Sequence, residues 1–240
     1  MMRWWKAVHR RQDFFPGFLG VFLNPFYIAR FGLLKSIKEF GPELSGNLID
    51  IGCGTKPYRT LFDVKSYVGL DIDSTRTRRQ GIADYFYEGK GFPLDDSVFD
   101  SALCSQVLEH VFNPDEFLSE INRVLKDGGR FLLTVPFVWD EHEQPYDYAR
   151  YSSYGLRALL EKNQFNVIQH RKIGADASLI FQLSNAYLYK VTLGLPRSIR
   201  ILSTVTVMAL ITILGLIAGK IFPDNPDLFL DQVILAEKIS

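Results

Sequence analysis

Two glycines and two acids in the first third of the chain have the spacing of a ligand-binding edge. An apolar run contains Asp50 and ends at Gly52 and Gly54, as a buried parallel strand does when it turns tightly beneath a ligand. A second apolar run closes on Asp71. In doubly wound sheets, an acid about 20 residues after the glycine turn binds the ribose hydroxyls of a nucleoside. The pattern therefore predicts a nucleoside site, with a cap for the next segment, formed by Asp71 and Asp73, as the alternative.

His110 and His142 are the side chains that could accept a proton near neutral pH, because the ordinary pKa of imidazole lies there. His142 follows a predicted strand, in one segment with Asp147 and Arg150. Two interpretations of His142 stay open: a general base for a hydroxyl group, or a part of the loop's structure. Asp147 and Arg150 could pair to hold that loop. His110 is the rival base, and packing at the start of a helix is its alternative.

The composition limits the partners and the surroundings of the protein. The chain has 240 residues, 47% of them apolar, which is enough for one α/β domain with insertions. Its 27 basic and 27 acidic side chains cancel, so no positive field predicts a nucleic acid as partner. The two cysteines, Cys53 and Cys104, predict a reducing, cytoplasmic location and neither a disulfide framework nor a metal site.

The elements that must position these side chains alternate between strands and helices. Apolar runs and turn signals predict strands at about 47–51, 66–71, 81–87, 99–104, 130–135, 165–171 and 232–238. Helices are predicted at about 25–40, 114–125 and 152–162, the second with Asn113 as its N-cap. This alternation predicts a parallel sheet with helices on both faces, and ligands of such sheets lie at the carboxyl ends of the strands.

The longest motif of the chain carries a resemblance to a known family. It reads FPLDDSVFDSALCSQVLEHV over residues 92–111 and continues through a helix to Gly128, Gly129 and the strand after them. Together with the turn at Gly52 and the acid at Asp71, this series resembles class I S-adenosylmethionine-dependent methyltransferases of the type 11 group, over about residues 45–170. The resemblance implies a Rossmann-like sheet of seven strands, in which strand seven lies antiparallel between strands five and six.

The resemblance also implies which residues would bind S-adenosylmethionine. They lie at or just after strand ends: Asp50, Gly52, Cys53, Gly54, Asp71, Ile72, Glu88, Ser105 and Gln106. Asp71 would bind the ribose, Ile72 would lie against the adenine, and Glu88 would accept a hydrogen bond from the adenine amino group, with a plain surface acid as the alternative for Glu88. The glycine turn would follow the methionine part, with Cys53 as a small apolar filler. Lys56 stands where relatives often have a third glycine, and it could pair with the methionine carboxylate.

Residues 201–219 form the most unusual segment, because they carry no charge over 19 consecutive positions and meet the length criterion for a membrane span. A single crossing would place strands six and seven on opposite sides of the bilayer. We therefore expect membrane surface contact through about residues 197–222, with a buried helix or a dimer contact as the alternative.

The expected segments are an aromatic-rich helical part (1–44), a cofactor-binding core (45–173), an apolar helical insertion (174–226) and the final strand (227–240).

The amino-terminal residues resemble a signal peptide, being basic and then aromatic. Asp13, Pro16 and Pro25 interrupt the apolar run, so we expect this segment to be retained. The protein would be cytoplasmic and peripheral at the membrane.

The function that the resemblance favours is O-methylation of a sugar, a glycan-lipid or another small membrane-associated acceptor, with S-adenosylmethionine as methyl donor. The spacing of His142, Pro145, Asp147 and Arg150 resembles that in methyltransferases of glycan and lipid biosynthesis. Two alternatives remain, C-methylation of a prenylated quinone and a non-catalytic protein that binds S-adenosylmethionine. The acceptor atom and the oligomeric state stay open.

Overall fold

A computed structural model describes residues 11–239. The basic residues Arg3, Lys6, His9 and Arg10, on which the resemblance to a signal peptide depends, lie outside this range. Within that part the chain forms a seven-stranded sheet in the order β3-β2-β1-β4-β5-β7-β6. The strands are β1 (Asn47–Ile51), β2 (Ser66–Ile72), β3 (Tyr85–Tyr87), β4 (Phe99–Ser105), β5 (Leu125–Pro136), β6 (Phe165–Ile173) and β7 (Asp231–Lys238). The expected fold is confirmed, including the position of the seventh strand between the fifth and the sixth.

The sheet is mixed. Strand β1 is parallel to β2 and to β4, while β2 is parallel to β3 and β4 to β5. Strand β7 runs against β6, because Leu230 N–H donates to the carbonyl of Ile173 and Ile239 N–H donates to the carbonyl of Gln164. The carboxyl ends of β1, β2 and β4 therefore meet at one edge, which is where the predicted cofactor residues lie.

The helices of the described residues are α1 (Gly20–Leu23), α2 (Tyr27–Phe40), α3 (Thr75–Gln80), α4 (Pro114–Val124), α5 (Ser153–Lys162), α6 (Ser178–Thr192) and α7 (Arg197–Ile221). Helix α5 begins as its sequence predicts, because the hydroxyl of Ser152 accepts the N–H of Gly155. Asn113 is the N-cap residue of α4, but its side chain makes no cap hydrogen bond and donates instead to Glu116.

Strand β5 begins earlier than the sequence predicts. The glycine pair Gly128-Gly129 indicates the end of a helix, whereas α4 has already ended at Val124 and the strand includes both glycines. Gly128 has φ +72°, and the register between β4 and β5 shifts between Phe99 and Ser101. A glycine at positive φ lets a strand carry such an irregularity.

The chain forms two compact units. One contains Ile37–Phe137, Glu141–Arg171 and the residues from Gln232, and its core is a continuous cluster of strand residues packed against α4 and α5. Its fully buried members include Ile49, Ile51, Leu118, Ile121, Phe131, Leu133, Leu156, Phe165 and Ile234. Such an apolar core fixes the strand ends that carry the polar side chains.

Of the described residues, the other unit contains 11–36, Val138–Asp140 and Lys172–Asp231. In it, α6 and α7 pack against each other through polar and small side chains. The buried Asn185 on α6 donates to the carbonyl of Met208 (3.1 Å) and to the hydroxyl of Thr212 (2.9 Å) on α7. A Cβ on Gly215 would lie 2.7 Å from Phe181, so the two helices approach as closely as glycine allows.

The opposite face of α7 is apolar and exposed. One row of its exposed apolar side chains recurs at intervals of three, four or eight positions: Ile199, Leu202, Leu210, Leu214, Ile217 and Ile221. Ile201 and Val207 are exposed beside this row. Thr206 lies on the same face, and its hydroxyl donates to the carbonyl of Leu202 on the same helix (2.7 Å). The distribution is the reverse of that in a surface helix of a water-exposed domain, where the apolar side faces the core. Among residues 11–239, α7 is the one helix long and apolar enough to cross a membrane.

Candidate cofactor and active site

The glycine turn after β1 and the acid that ends β2 are joined by a direct hydrogen bond. Gly54 N–H donates to Oδ2 of Asp71 (2.9 Å), and the carbonyl of Leu70 accepts the N–H of Gly52 (2.8 Å). Gly52 has φ +71° and Gly54 has φ +50°, angles that favour glycine. A Cβ on Gly54 would meet no atom within 4 Å. The hydrogen bonds to Leu70 and Asp71 therefore fix the turn, and Gly54 borders open space.

Asp50 is buried in the interior of β1, and burial raises its pKa to about 7. Tyr67 on β2 donates its hydroxyl to Oδ2 of Asp50 (2.6 Å), which opposes that rise without cancelling it. Burial also raises the pKa of Asp71, against the N–H groups of Ile72 and Gly54. Two buried acids at one sheet edge favour a ligand that brings hydroxyl donors or positive charge. A ribose and a sulfonium have these properties, so the residues fit S-adenosylmethionine.

The remaining turn residues are held by the protein itself. Burial, followed by the charges of Asp50 and Asp71, raises the pKa of Cys53 to about 12, so its thiol stays protonated and packs as an apolar group. Lys56 pairs with Asp84, which also accepts the N–H of Gly69 (2.7 Å). In this structure the counter-charge of Lys56 is thus Asp84, from the segment just before β3.

The structure places the expected adenine residues around the ends of β2 and β3. Ile72 is 43% exposed, and a Cβ on Gly89 would lie 3.9 Å from its side chain. Glu88 directly follows β3 and is exposed. An exposed isoleucine at a strand end leaves an apolar surface on which a flat ring could lie.

Ser105 and Gln106 both reach from the end of β4 to Thr134 on β5. The hydroxyls of Ser105 and Thr134 are 2.9 Å apart, and Gln106 N–H donates to the carbonyl of Thr134 (2.9 Å). Gln106 has φ +58°, a left-handed conformation that is costly for a side chain other than glycine. This strain is held at the carboxyl end of β4, next to the turn that contains His110.

His110 and His142 meet although they come from different connections. Their rings lie at right angles with centroids 4.8 Å apart. Between them lies the carboxylate of Glu109, which is fully buried: its Oε1 is 3.8 Å from Nε2 of His110 and 4.0 Å from Nε2 of His142. The two rival bases of the sequence thus form one cluster with an acid that sequence reasoning passed over.

The loop that carries His142 is held by an ion pair. Arg150 binds both oxygens of Asp147, at 2.6 and 2.7 Å, and lowers the pKa of Asp147 to about 2. The same carboxylate accepts the backbone N–H of His142 (2.9 Å). The expected pairing of Asp147 with Arg150 is confirmed, and the imidazole of His142 lies against both members of the pair, with Nδ1 at 3.4 Å from Asp147 and 3.5 Å from Arg150.

Three residues of the site escaped sequence reasoning: Tyr67, Asp84 and Glu109. Tyr67 and Asp84 act on the glycine turn from other strands and loops, and no local spacing connects them with it. Glu109 stands in the long motif beside His110, and an acid next to a histidine after a strand end was the one signal that could have pointed to it.

Comparison with known proteins shows which domain this part of the chain is similar to. Residues 49–133 match a family model described as a methyltransferase domain. The chain is 30% identical over 105 residues to an uncharacterized protein of Methanocaldococcus jannaschii, covering 42% of this chain and 49% of that protein. It is 35% identical over 83 residues to the ubiquinone/menaquinone biosynthesis C-methyltransferase of Brucella anthropi, covering 33% and 31%. The chain spans about half or less of the length of these curated relatives.

A solved structure shows the same fold. Phosphoethanolamine N-methyltransferase 2 of Haemonchus contortus, in complex with S-adenosyl-L-methionine, is 17% identical to this chain with a TM-score of 0.55, over 97% of this chain and 60% of that one. At this identity the likeness establishes the architecture of the sheet and not the reaction.

Proposed function

The chain carries a class I S-adenosylmethionine-dependent methyltransferase domain, and from this premise we propose that it transfers the methyl group of S-adenosylmethionine to a hydroxyl of a sugar, a glycan-lipid or another small membrane-associated acceptor. Residues 45–173 and 227–240 would form the catalytic core. The observation that carries the proposal is the hydrogen bond from Gly54 to Asp71, because it joins the two halves of a nucleoside site at one sheet edge.

The chain's own residues would bind and orient the reactants. When bound, S-adenosylmethionine supplies a methyl group on a positively charged sulfur. Gly54 leaves space beside the turn, Asp71 would hold the ribose, and Asp50 would lie on the methionine side of the cofactor. In-line transfer needs alignment and the exclusion of water more than covalent help.

His142 and His110 are the proposed catalytic residues. They would act on the acceptor's hydroxyl, and their nearness to Glu109 keeps both imidazoles at one place. The Asp147–Arg150 pair, with the backbone of His142 bound to Asp147, would position this loop.

Incubation of the purified protein with labelled S-adenosylmethionine and membrane lipid extracts tests the reaction. We expect label in an extractable lipid or glycan and an equal amount of S-adenosylhomocysteine, and NMR of the product should place the methyl group on oxygen. A methyl group on a quinone carbon would favour the alternative that the Brucella relative suggests. Binding of the cofactor without turnover on any extract would favour the non-catalytic alternative.

We propose further that α6 and α7 bind the protein to anionic membranes. Four basic side chains, Lys190, Arg197, Arg200 and Lys220, and no acid lie between Asp176 and Asp224, so this segment attracts anionic lipid headgroups. Small and polar residues pack the two helices together while apolar side chains face outward, which is the arrangement of helices that contact lipid. Because β6 and β7 are hydrogen-bonded neighbours, α7 would lie in the interface and not cross the bilayer once.

Replacing Leu210 and Leu214 together by glutamate should abolish binding to vesicles that contain phosphatidylglycerol. Both side chains are exposed on α7, at 57% and 45%, so the change opposes lipid insertion at little cost in folding. Flotation with vesicles measures the bound fraction, and Phe112→Glu, at an exposed residue of the other unit, is the control that should still float. A double variant that floats like the unchanged protein would disprove lipid contact. Loss of self-association without loss of flotation would indicate a second copy as the partner.

A further inference from the structure

Glu109, His110 and His142 have the composition and spacing of a metal site. One ligand atom of each, a carboxylate oxygen and two imidazole nitrogens, lies within 4.8 Å of the others. Ligand atoms around one bound ion are roughly 3–3.5 Å apart, given bond lengths of about 2.0–2.2 Å. The three side chains must therefore draw closer by about 1–2 Å to contact one ion.

The hydrogen bonds of His110 leave the correct nitrogen available. Its Nδ1 lies 2.9 Å from the carbonyl oxygen of Tyr146, and a carbonyl only accepts, so Nδ1 carries the proton of the neutral ring. The lone pair is then on Nε2, the nitrogen that faces Glu109. A ligating histidine ordinarily donates its other N–H to a carbonyl or carboxylate in this way.

His142 is held at the same ring nitrogen. Its Nδ1 lies 3.4 Å from Oδ2 of Asp147. Nη2 of Arg150 lies 3.5 Å from the same nitrogen, so Nδ1 is held between a carboxylate and a guanidinium. The other ring nitrogen, Nε2, faces Glu109 at 4.0 Å. Two imidazoles held through Nδ1 thus direct both Nε2 atoms to one carboxylate.

Glu109 connects the two segments that carry the histidines. Its side chain is fully buried and lies beside both imidazoles. The backbone carbonyl of Glu109 accepts the N–H groups of Tyr148 (2.9 Å) and Ala149 (3.2 Å). These bonds fix the loop of His142 against the turn of Glu109 and His110, so the three ligands are positioned before any ion arrives.

We propose that Glu109, His110 and His142 bind one divalent transition-metal ion. Two imidazoles and a carboxylate suit Zn²⁺, Mn²⁺, Fe²⁺ or Co²⁺, whereas Mg²⁺ prefers an all-oxygen set. Three protein ligands leave positions for water or for an oxygen of the acceptor. This last point rests on the proposed function, whereas the binding of the ion does not.

With an ion bound, the two histidines would be metal ligands and would act on the acceptor indirectly. Their Nε2 lone pairs would act on the acceptor through the metal, which lowers the pKa of a coordinated hydroxyl. The hydroxyl proton then passes to water, the oxygen forms its bond to the methyl carbon, and the carbon–sulfur bond breaks with its electron pair on sulfur. Atoms and charges balance without a further reactant.

Titration of the untagged, chelator-treated protein with Co²⁺ and Zn²⁺ tests the site, in the absence of any methyl donor. We expect one Co²⁺ per chain, with the visible absorption of protein-bound Co²⁺, and competition by Zn²⁺. The variants His142→Ala and Glu109→Gln should each bind Co²⁺ at least tenfold more weakly. His170→Ala, at a histidine bonded to Gln232, is the matched control and should bind like the unchanged protein.

Circular dichroism of the variants separates loss of ligands from loss of fold. The side chain of His142 is 29% exposed, so His142→Ala keeps the test decisive if removal of the buried Glu109 charge disturbs folding. Equal Co²⁺ binding by the unchanged protein and by folded His142→Ala would overturn the proposal, as would binding of Mg²⁺ without Co²⁺ or Zn²⁺. Failure of methyl transfer alone would leave the metal site intact, because its readout uses neither cofactor nor acceptor.

Discussion

Replacing Asp71 by alanine is expected to weaken the binding of S-adenosylmethionine more than tenfold. The proposed contact is a hydrogen bond from a ribose hydroxyl to an ionised carboxylate, and losing a charge-assisted bond of this kind costs about 1.5–3 kcal/mol. The change also removes the acceptor of the Gly54 and Ile72 N–H groups, so the glycine turn loses its link to β2. Both effects weaken the binding of S-adenosylmethionine.

Calorimetric titration with S-adenosylmethionine measures this affinity. Asp71→Asn helps to separate the two effects, because its single amide oxygen can still accept the N–H of Gly54, though not that of Ile72 as well, and it carries no charge. Asp73→Ala is the control, since this neighbouring acid pairs with Arg78 outside the turn and its loss should leave the affinity unchanged. If the alanine variant at position 71 bound the cofactor as tightly as the unchanged protein, Asp71 would have no place in the site.

Replacing Asp50 by asparagine should stabilise the cofactor-free protein by about 1–3 kcal/mol at pH 8 while weakening cofactor binding. Asp50 titrates near pH 7 in the folded chain, against an ordinary value of 3.8, because burial disfavours its charged form. Asparagine removes that cost and still accepts the hydroxyl of Tyr67. Buried charge kept at the expense of stability is typical of a functional site.

The pH dependence of unfolding identifies this cause. Between about pH 4 and pH 7 the folded chain holds a proton on Asp50 that the unfolded chain has lost, so the contribution of this group to stability falls as pH rises through that window and is constant above it. Urea unfolding at pH 5 and pH 8 should therefore show the larger gain for Asp50→Asn at pH 8. The same gain at both pH values would contradict the assignment.

Asp100 provides a control of opposite sign. The N–H of Asn47 and the ammonium group of Lys126 lower the pKa of Asp100, so its ionised form stabilises the fold and that contribution is lost as pH falls through its folded pKa. Asp100→Asn should consequently cost stability at pH 8 and less near pH 3. The pKa shifts of the two aspartates have opposite signs because Asp50 is buried, whereas Asp100 accepts the N–H of Asn47 and pairs with Lys126.

Local signals predicted most of the sheet. Strand β1 occupies its predicted residues, and β2 and β7 differ from theirs by one residue, since apolar runs bounded by turns leave little choice of boundary. Strand β5 was predicted five residues too late, because Gly128 and Gly129 are equally compatible with a helix end and with an irregular strand. The distinction depends on pairing with β4, which is not a local property.

The site was predictable where its members follow strand ends. Asp50, Gly54 and Asp71 are brought together as the spacing indicates, because neighbouring parallel strands must end at one edge. The cluster of Glu109, His110 and His142 was not predicted as a unit. Its spacing matches no short metal-binding signature, so the sequence indicated two separate bases and no metal. Their meeting is set by the Asp147–Arg150 pair and by the bonds to the carbonyl of Glu109.

The place of β7 in the sheet affects the order in which the chain can fold during synthesis. Strands β5 and β6 flank β7 and have it as their shared neighbour, yet the ribosome makes α6 and α7 before β7. Until β7 arrives, two strand edges face water and could pair with other chains. The sheet therefore stays open to misassembly until the last strand closes the gap.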